Sequence, residues 1–353
     1  MSDATPLLYD LPPSQWNFGD HPEYRRKQVA EWVFRHKETD LNKMKNLPAS
    51  LRVDLAARFH LEALTLVRQQ GSEDTTRKFL FSTRDGDFIE CVLIPASPAL
   101  YGERSDRYTL CVSSQVGCAY ACAFCASGLD GWKRNLTPGE ILAQVIQVER
   151  LTGERVNNLV FMGMGEPFAN YPNLMSALEM IHADWGLNIG ARHITVSTSG
   201  LVPLIQKFAD QPRPFRLAVS LHGASDAVRN RIMPINKKYP LATLFEACRY
   251  FNSKKKQKIT FEYILIEGIN DSPEEARRLV RSASALNAKV NLIPYNRVEG
   301  LDWRRPEEDV IHHFHDLLSE GGIQATVRLE KGHDIDAACG QLRLREKLSP
   351  TGS

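Results

Sequence analysis

No stretch of this 353-residue sequence approaches the roughly 20 consecutive apolar residues that cross a bilayer, which excludes a helical membrane span. The opening residues Met1-Ser2-Asp3-Ala4-Thr5-Pro6 lack the basic and apolar regions of a secretory signal, so a cytoplasmic protein is expected. Net charge is scarce: 44 Lys and Arg against 42 Asp and Glu leave +2, which argues neither for nor against a polyanionic partner. There is no internal repeat, and no low-complexity tract beyond the tail Ser349–Ser353. A disulfide framework is missing as well. The seven cysteines are odd in number, and three of them crowd between Cys118 and Cys125, too close to suit structural bridges.

Local features say more than the totals. Basic patches at Tyr24-Arg25-Arg26-Lys27, Lys133-Arg134, Lys254–Lys258 and Arg304-Arg305 suit phosphates, although each alone is more commonly a solvated helix end. Residues 1–62 read as a helical accessory domain. His21–Lys37 places Tyr24, Val29, Trp32 and Val33 near one face, and Pro48 opens a second helix carrying Leu51, Leu55 and Phe59. Residues 63–100 read as a β-rich linker, with strands at Leu64–Val67, Arg77–Ser82 and Phe88–Ile94 and a hairpin turn at Arg84-Asp85-Gly86-Asp87.

From residue 101 to 345 strands and helices alternate. Strands are expected at Tyr108–Ser113, Asn158–Met162, His193–Ser197, Arg216–Leu221, Ile259–Leu265 and Lys289–Ile293. Helices fall between them, the first opened by a Thr137/Glu140 capping box. Pro306–Glu320 and Ala325–Leu329 read as a closing helix and strand, and 346–353 as a tail. Six βα units predict an α/β fold with a parallel sheet, open or curved into a partial barrel. The chemistry is expected at the C-terminal ends of its strands.

The first of these strands runs straight into Cys118-Ala119-Tyr120-Ala121-Cys122-Ala123-Phe124-Cys125. Three thiolates at C-x3-C-x2-C spacing on one loop can converge on one site. A cubane iron–sulfur cluster normally takes four cysteines, so three leave one iron for an outside ligand. That iron suits the amino and carboxylate groups of S-adenosylmethionine (SAM). Structural zinc wants four ligands, usually as two half-sites, and no second C-x2-C is present. A thioredoxin-like Cys122/Cys125 pair leaves Cys118 unexplained. The spacing favours the cluster, and a zinc-dependent RNA-binding protein without catalytic activity stands as the alternative.

Polar residues recur at the following strand ends. Phe161-Met162-Gly163-Met164-Gly165-Glu166-Pro167 offers close backbone approach and a carboxylate for an ammonium, with a tight turn bearing a solvated Glu as the alternative. Ser197, Ser220-Leu221-His222 and Asn296 sit at three more ends; each alone suits a turn, but together they suit a barrel-mouth site. His222 as a fourth metal ligand ranks low, since it lies three strands from the cysteine loop. The remaining cysteines, Cys91, Cys111, Cys248 and Cys339, read individually as small buried residues.

With its three-cysteine loop and the aromatic Phe124 before the third cysteine, the chain resembles the radical SAM superfamily, whose fold is a partial (β/α)6 barrel. Leu110–Cys118 (LCVSSQVGC), Met233–Pro240 (MPINKKYP) and Asp334–Leu342 (DIDAACGQL) resemble hallmark segments of the RlmN/Cfr family of RNA methyltransferases, and the similarity covers nearly the whole chain. The resemblance implies a [4Fe-4S] cluster on Cys118, Cys122 and Cys125, and SAM held by Gly165, Glu166, Ser197, Ser220, Leu221, His222 and Asn296. It implies methylation of an adenosine at C2 in 23S rRNA and in tRNA, consuming two SAM. Cys339 would first be methylated at sulfur, the methyl group would then be activated as a carbon radical that adds to the base, Glu90 would accept the C2 proton, and Cys111 would attack Cys339 to release product as a disulfide forms. A C8 methyltransferase of the same rRNA base, as in antibiotic resistance, is the alternative within the family; the Gly-Glu-Pro segment and Ile293-Pro294-Tyr295-Asn296 look more like the C2 group. An electron donor such as flavodoxin or ferredoxin, no membrane association and a monomeric state are expected. On sequence alone Glu90 is a solvated strand carboxylate, and Thr76-Arg77-Lys78-Phe79 joins the basic N-terminal helix as a candidate grip on RNA.

Overall fold

The alternating apolar pattern resolves into twelve strands: β1 (Leu64–Gly71), β2 (Arg77–Thr83), β3 (Phe88–Pro95), β4 (Tyr108–Cys111), β5 (Gln115–Gly117), β6 (Trp132–Asn135), β7 (Val156–Phe161), β8 (Ile194–Thr198), β9 (Arg216–Ser220), β10 (Thr260–Leu265), β11 (Lys289–Pro294) and β12 (Ala325–Val327). The structure is a computed structural model that describes residues 5–71, 75–96, 107–129, 131–298 and 300–328. Ten of the strands form one sheet in the order β1-β2-β3-β4-β7-β8-β9-β10-β11-β12. Pairing is antiparallel from β1 to β4 and parallel from β4 onward. The three strands read as a linker thus continue the barrel sheet without a break.

Strands that follow one another in the chain are neighbours in the parallel sheet. Crossovers of one hand therefore put every connecting helix on the same face, and the sheet rolls around its other face. The longer helices between strands are Pro138–Thr152, Tyr171–His182, Val202–Ala209, Leu241–Lys255, Pro273–Ala285 and Glu308–Glu320. Thr137 and Glu140 form the expected capping box, and Gly153 ends that first helix at φ +72°. Under the helices lie Ile89, Cys91, Leu110, Leu159, Phe161, Val196, Leu217, Val219, Phe261 and Val290, all buried. Because side chains alternate along a strand, the register puts a different set on the concave face: Lys78, Glu90, Cys111, Asn158, Ser197, Ser220, Glu262 and Asn291. The inside of the partial barrel thus carries polar side chains among apolar ones such as Leu80, Val92, Val160 and Ala218. This is where the candidate site residues gather.

Two sequence expectations need adjustment. The helix expected over His21–Lys37 is an α-helix only across Tyr24–Ala30 and continues as a π turn over Glu31–Arg35, which brings Val33 and Phe34 into the core while Trp32 stays partly exposed and donates to Asn46 Oδ1. The short hairpin β5–β6 was not expected at all, since three- and four-residue strands carry no periodic signal. None of the described helices is long and apolar enough to cross a membrane.

Candidate active site

All the parallel strands open at one end, and the cysteine loop lies across that mouth. The β5–β6 hairpin holds it: Gly117 sits at φ +76°, and a Cβ there would lie 1.9 Å from the Gly131 carbonyl oxygen, so only glycine fits. That same carbonyl accepts the Cys118 N–H at 3.0 Å; the Cys125 N–H donates to Cys122 O at 3.1 Å, and the Ala123 N–H to Ile232 O at 2.9 Å. The hairpin is pinned in turn by Arg134, whose guanidinium reaches Asp85 Oδ2 at 2.6 Å and Glu140 Oε1 at 2.8 Å, and by a Lys133–Asp87 pair. The Lys133-Arg134 patch is therefore committed to protein carboxylates.

Burial pushes the Cys118 thiol up to about 12, and Cys122 rises well above the ordinary range for the same reason, with the neighbouring thiols adding to both. Cys118 and Cys122, desolvated and repelled by the neighbouring sulfurs when ionised, are stabilised as thiolates by a cationic centre on this loop. This fits an iron cluster.

The Gly165–Glu166 segment is locked to this loop through Gln115. Gly165 has φ +96°, and a Cβ would fall 2.5 Å from Gln115 Cβ. Gln115 accepts the Glu166 N–H at 2.8 Å through Oε1 and donates to Asn135 Oδ1 at 2.7 Å. Glu166 is not solvated: it is buried and accepts the N–H groups of Phe168 at 3.0 Å and Ser199 at 2.6 Å. Desolvation raises its pKa, and those two hydrogen bonds oppose the rise. Further round the mouth Ser197 and Ser220 oxygens lie 3.4 Å apart, and Asn296 Oδ1 is buried with no hydrogen-bond partner among the described residues.

His222 adopts φ +56°, its ring meets the Phe124 ring edge-on at 4.8 Å, and its Nδ1 accepts the Ile264 N–H at 3.0 Å. Burial, helped by the charge of Arg229, drops its pKa to about 3. The ring is neutral and carries its proton on Nε2, the nitrogen that remains for another partner. Leu221 is fully buried and hands its N–H to Glu262 O at 3.0 Å.

Sequence reasoning missed Arg229. It is fully buried on a helix over Asp226–Ile232, and donates to Leu221 O at 3.1 Å, Asn236 Oδ1 at 2.7 Å and Ser199 O at 2.5 Å. One side chain thus ties the exits of β8 and β9, and its charge lowers the Cys122 pKa against the burial effect. The only sequence signal is its i, i−3 spacing from Ile232, the other buried residue of the helix.

Cys111 is buried on β4, and Glu90 lies beside it on β3. Two expectations are overturned there. Glu90 is buried rather than solvated, and Lys78 is sealed inside against it, with Nζ 3.0 Å from Glu90 Oε2, so Lys78 is not exposed to grip RNA. Cys91 and Cys248 are buried. Cys339 lies outside the described residues.

Comparison with known proteins agrees with this geometry. Residues 112–280 match the family model of the Radical SAM superfamily, and residues 17–61 match the ribosomal RNA large subunit methyltransferase N-terminal domain. The chain is 55% identical over 332 residues to a probable dual-specificity RNA methyltransferase RlmN of Akkermansia muciniphila, covering 94% of this chain and 92% of the relative. It is 51% identical over 334 residues to a probable dual-specificity RNA methyltransferase RlmN 3 of Opitutus terrae, covering 92% and 89%. The crystal structure of a radical SAM methyltransferase from Sphaerobacter thermophilus superposes with a TM-score of 0.89 at 44% identity, covering 95% of this chain and 98% of that one.

Proposed function

We infer the reaction from the premise that this chain belongs to the RlmN family of radical SAM RNA methyltransferases, which use a [4Fe-4S] cluster and SAM. It methylates C2 of an adenosine in 23S rRNA and in tRNA. When bound, the cluster and SAM supply a carbon radical strong enough to take hydrogen from a methyl group. The protein's own residues do the rest. Cys118, Cys122 and Cys125 hold the cluster, while Gly165, Glu166, Ser197, Ser220, Leu221, His222 and Asn296 hold SAM. Cys339 carries the methyl group and becomes bonded through it to the base; the adduct gives its C2 proton to Glu90, and its unpaired electron would return to the bound cluster. The Cys111 thiol then attacks the Cys339 sulfur and breaks its bond to the transferred carbon, so the product leaves with the thiol proton and a disulfide remains. Covalent catalysis of this kind divides one forbidden substitution at an unreactive carbon into feasible steps. The disulfide is then reduced by outside thiols.

The observation that carries this reading is the placement of Cys111 and Glu90 together on the concave face, below the mouth that the three-cysteine loop crosses. Residues 1–62 act as the RNA-binding accessory region, the protein works as a cytoplasmic monomer, and flavodoxin or ferredoxin supplies electrons. The test is an anaerobic reaction of the iron-loaded protein with 23S rRNA fragment or tRNA, SAM and dithionite, followed by nucleoside analysis. 2-Methyladenosine together with 5′-deoxyadenosine is expected. 8-Methyladenosine alone refutes the C2 assignment, and absence of 5′-deoxyadenosine refutes the radical chemistry.

A further inference from the structure

From His21 to Arg58 nine Lys and Arg stand against five Asp and Glu, a surplus of +4 where the whole chain has +2, so the remainder of the chain is net negative. Part of that surplus is held around one connector. Arg25 donates through Nη1 to Gln28 Oε1 at 2.6 Å and to Asn46 O at 3.2 Å, and Asn46 Oδ1 accepts the Trp32 indole N–H at 2.5 Å. Arg25, Gln28 and Trp32 follow the spacing of one helix face. Arg52, on the helix Ala49–Arg58, donates through Nη1 to Asn42 O at 3.3 Å in the same connector. Neutral oxygens thus hold both guanidiniums, and among the described residues neither is paired with a carboxylate. The connector's own carboxylates are committed: Asp40 accepts the Asn42 N–H at 2.9 Å, and Glu38 lies 3.4 Å from Lys43. Lys45, next to Asn46, is exposed. Tyr24 is 56% exposed, with the Arg25 guanidinium 4.7 Å from its ring centre.

We propose that Tyr24, Arg25, Trp32, Lys45 and Arg52 form a docking surface for an unpaired stretch of the RNA substrate, with a base stacked on Tyr24 and phosphates met by Arg25, Lys45 and Arg52. The inference rests on the RNA methyltransferase reading above. A guanidinium held by carbonyls gives up no ion pair on meeting a phosphate, whereas Lys43 has to leave Glu38. An exposed ring backed by a guanidinium is a flat platform for a base, and stacking of this kind is indifferent to base identity. Bases inside a duplex have their faces covered by neighbours, so only an unpaired nucleotide can reach Tyr24. The reaction itself demands locally opened RNA, since the target base must leave its stack. The basic run Lys254–Lys258 fits less well: Lys254 is 3.4 Å from Asp210, and Lys255 donates to Gln211 O and Arg213 O. All five residues belong to the accessory region and none to the barrel strands, so the surface governs RNA affinity and not the chemistry.

The test uses the full-length iron-loaded enzyme and two protein-free RNAs of equal length, a stem–loop carrying the target adenosine and a perfect duplex. Affinity is read by fluorescence anisotropy across a range of salt concentrations. Tyr24→Ala is expected to weaken stem–loop binding about tenfold with its salt dependence unchanged, and to leave duplex binding alone. Tyr24→Phe binds as wild type. Lys45→Ala is expected to flatten the slope of log affinity against log salt by about 0.7, the value for one phosphate of a single strand. In turnover both Ala variants raise the KM for RNA, while kcat and SAM affinity hold. Lys254→Ala, in the committed cluster, binds as wild type. Unchanged stem–loop affinity in Tyr24→Ala and Lys45→Ala overturns the proposal and points the face at a protein partner instead. A Tyr24→Ala loss of equal size on the duplex overturns the unpaired form of the RNA, and a loss in Lys254→Ala as large as in Lys45→Ala overturns the assignment to this face. Wild-type enzyme that binds neither RNA would instead overturn the RNA methyltransferase reading.

Discussion

Replacing Arg229 with methionine removes the guanidinium that joins the β8 and β9 exits while keeping an unbranched side chain of similar length. Four contacts disappear, to Leu221 O, Asn236 Oδ1, Ser199 O and, at 3.5 Å, Ser220 O. Leu221 O keeps its bond from the Gly223 N–H, so the groups that lose their donor are chiefly Ser199 O and Asn236 Oδ1. Each abandoned buried acceptor costs about 1–3 kcal/mol. Relief of the buried charge's own desolvation offsets part of that, and a net loss of about 3 kcal/mol is expected. Against a total stability of roughly 5–15 kcal/mol the protein still folds. The damage is local: Ser197, Ser220 and His222 lose their anchoring, and the cysteine loop loses the one charge that favours the Cys122 thiolate. Urea unfolding should report the stability loss, equilibrium dialysis a weaker hold on SAM, and anaerobic iron analysis slower cluster loading. Arg229→Lys should recover part of all three. If Arg229→Met unfolds within about 1 kcal/mol of wild type and binds SAM unchanged, the reasoning fails, because two orphaned buried carbonyls at the mouth cannot go unnoticed.

Gly165→Ala forces a Cβ to within 2.5 Å of Gln115 at φ +96°, so SAM binding measured by dialysis should weaken more than overall stability measured by urea unfolding; unaltered affinity would refute the locked-loop geometry. His222, with its pKa depressed from the usual 6.5 to about 3, contributes stability that is complete above pH 6.5 and is lost as pH falls toward 3. Between pH 6.5 and 5 the loss is about 2 kcal/mol. His222→Asn, whose Oδ1 can still accept the Ile264 N–H, should flatten that part of the curve, as followed by urea midpoints across pH. Cys111→Ala should leave a stable Cys339–RNA adduct visible on a denaturing gel, and its absence under conditions where 5′-deoxyadenosine forms argues against the releasing role.

The three-cysteine loop and the parallel strands were legible in the sequence because each depends on spacing within a short segment. The βα alternation fixes a period, and the Thr137–Glu140 box fixes a helix start, without reference to anything distant. The strand-end residues Glu166, Ser197, Ser220, His222 and Asn296 could be named for the same reason, since a parallel sheet brings its C-terminal ends to one side. What only the tertiary structure decided is which charges are inside. Lys78 and Glu90 look like ordinary strand charges, Arg229 like an ordinary helix charge, and Lys133-Arg134 like a phosphate grip. Each role is set by a partner on another element, tens of residues away for Arg134 with Asp85 and for Arg229 with Ser199. Local periodicity tells which face of a strand a residue occupies. Whether that face meets water or the closed inside of a rolled sheet depends on the sum of all the crossovers, and no single segment contains that sum.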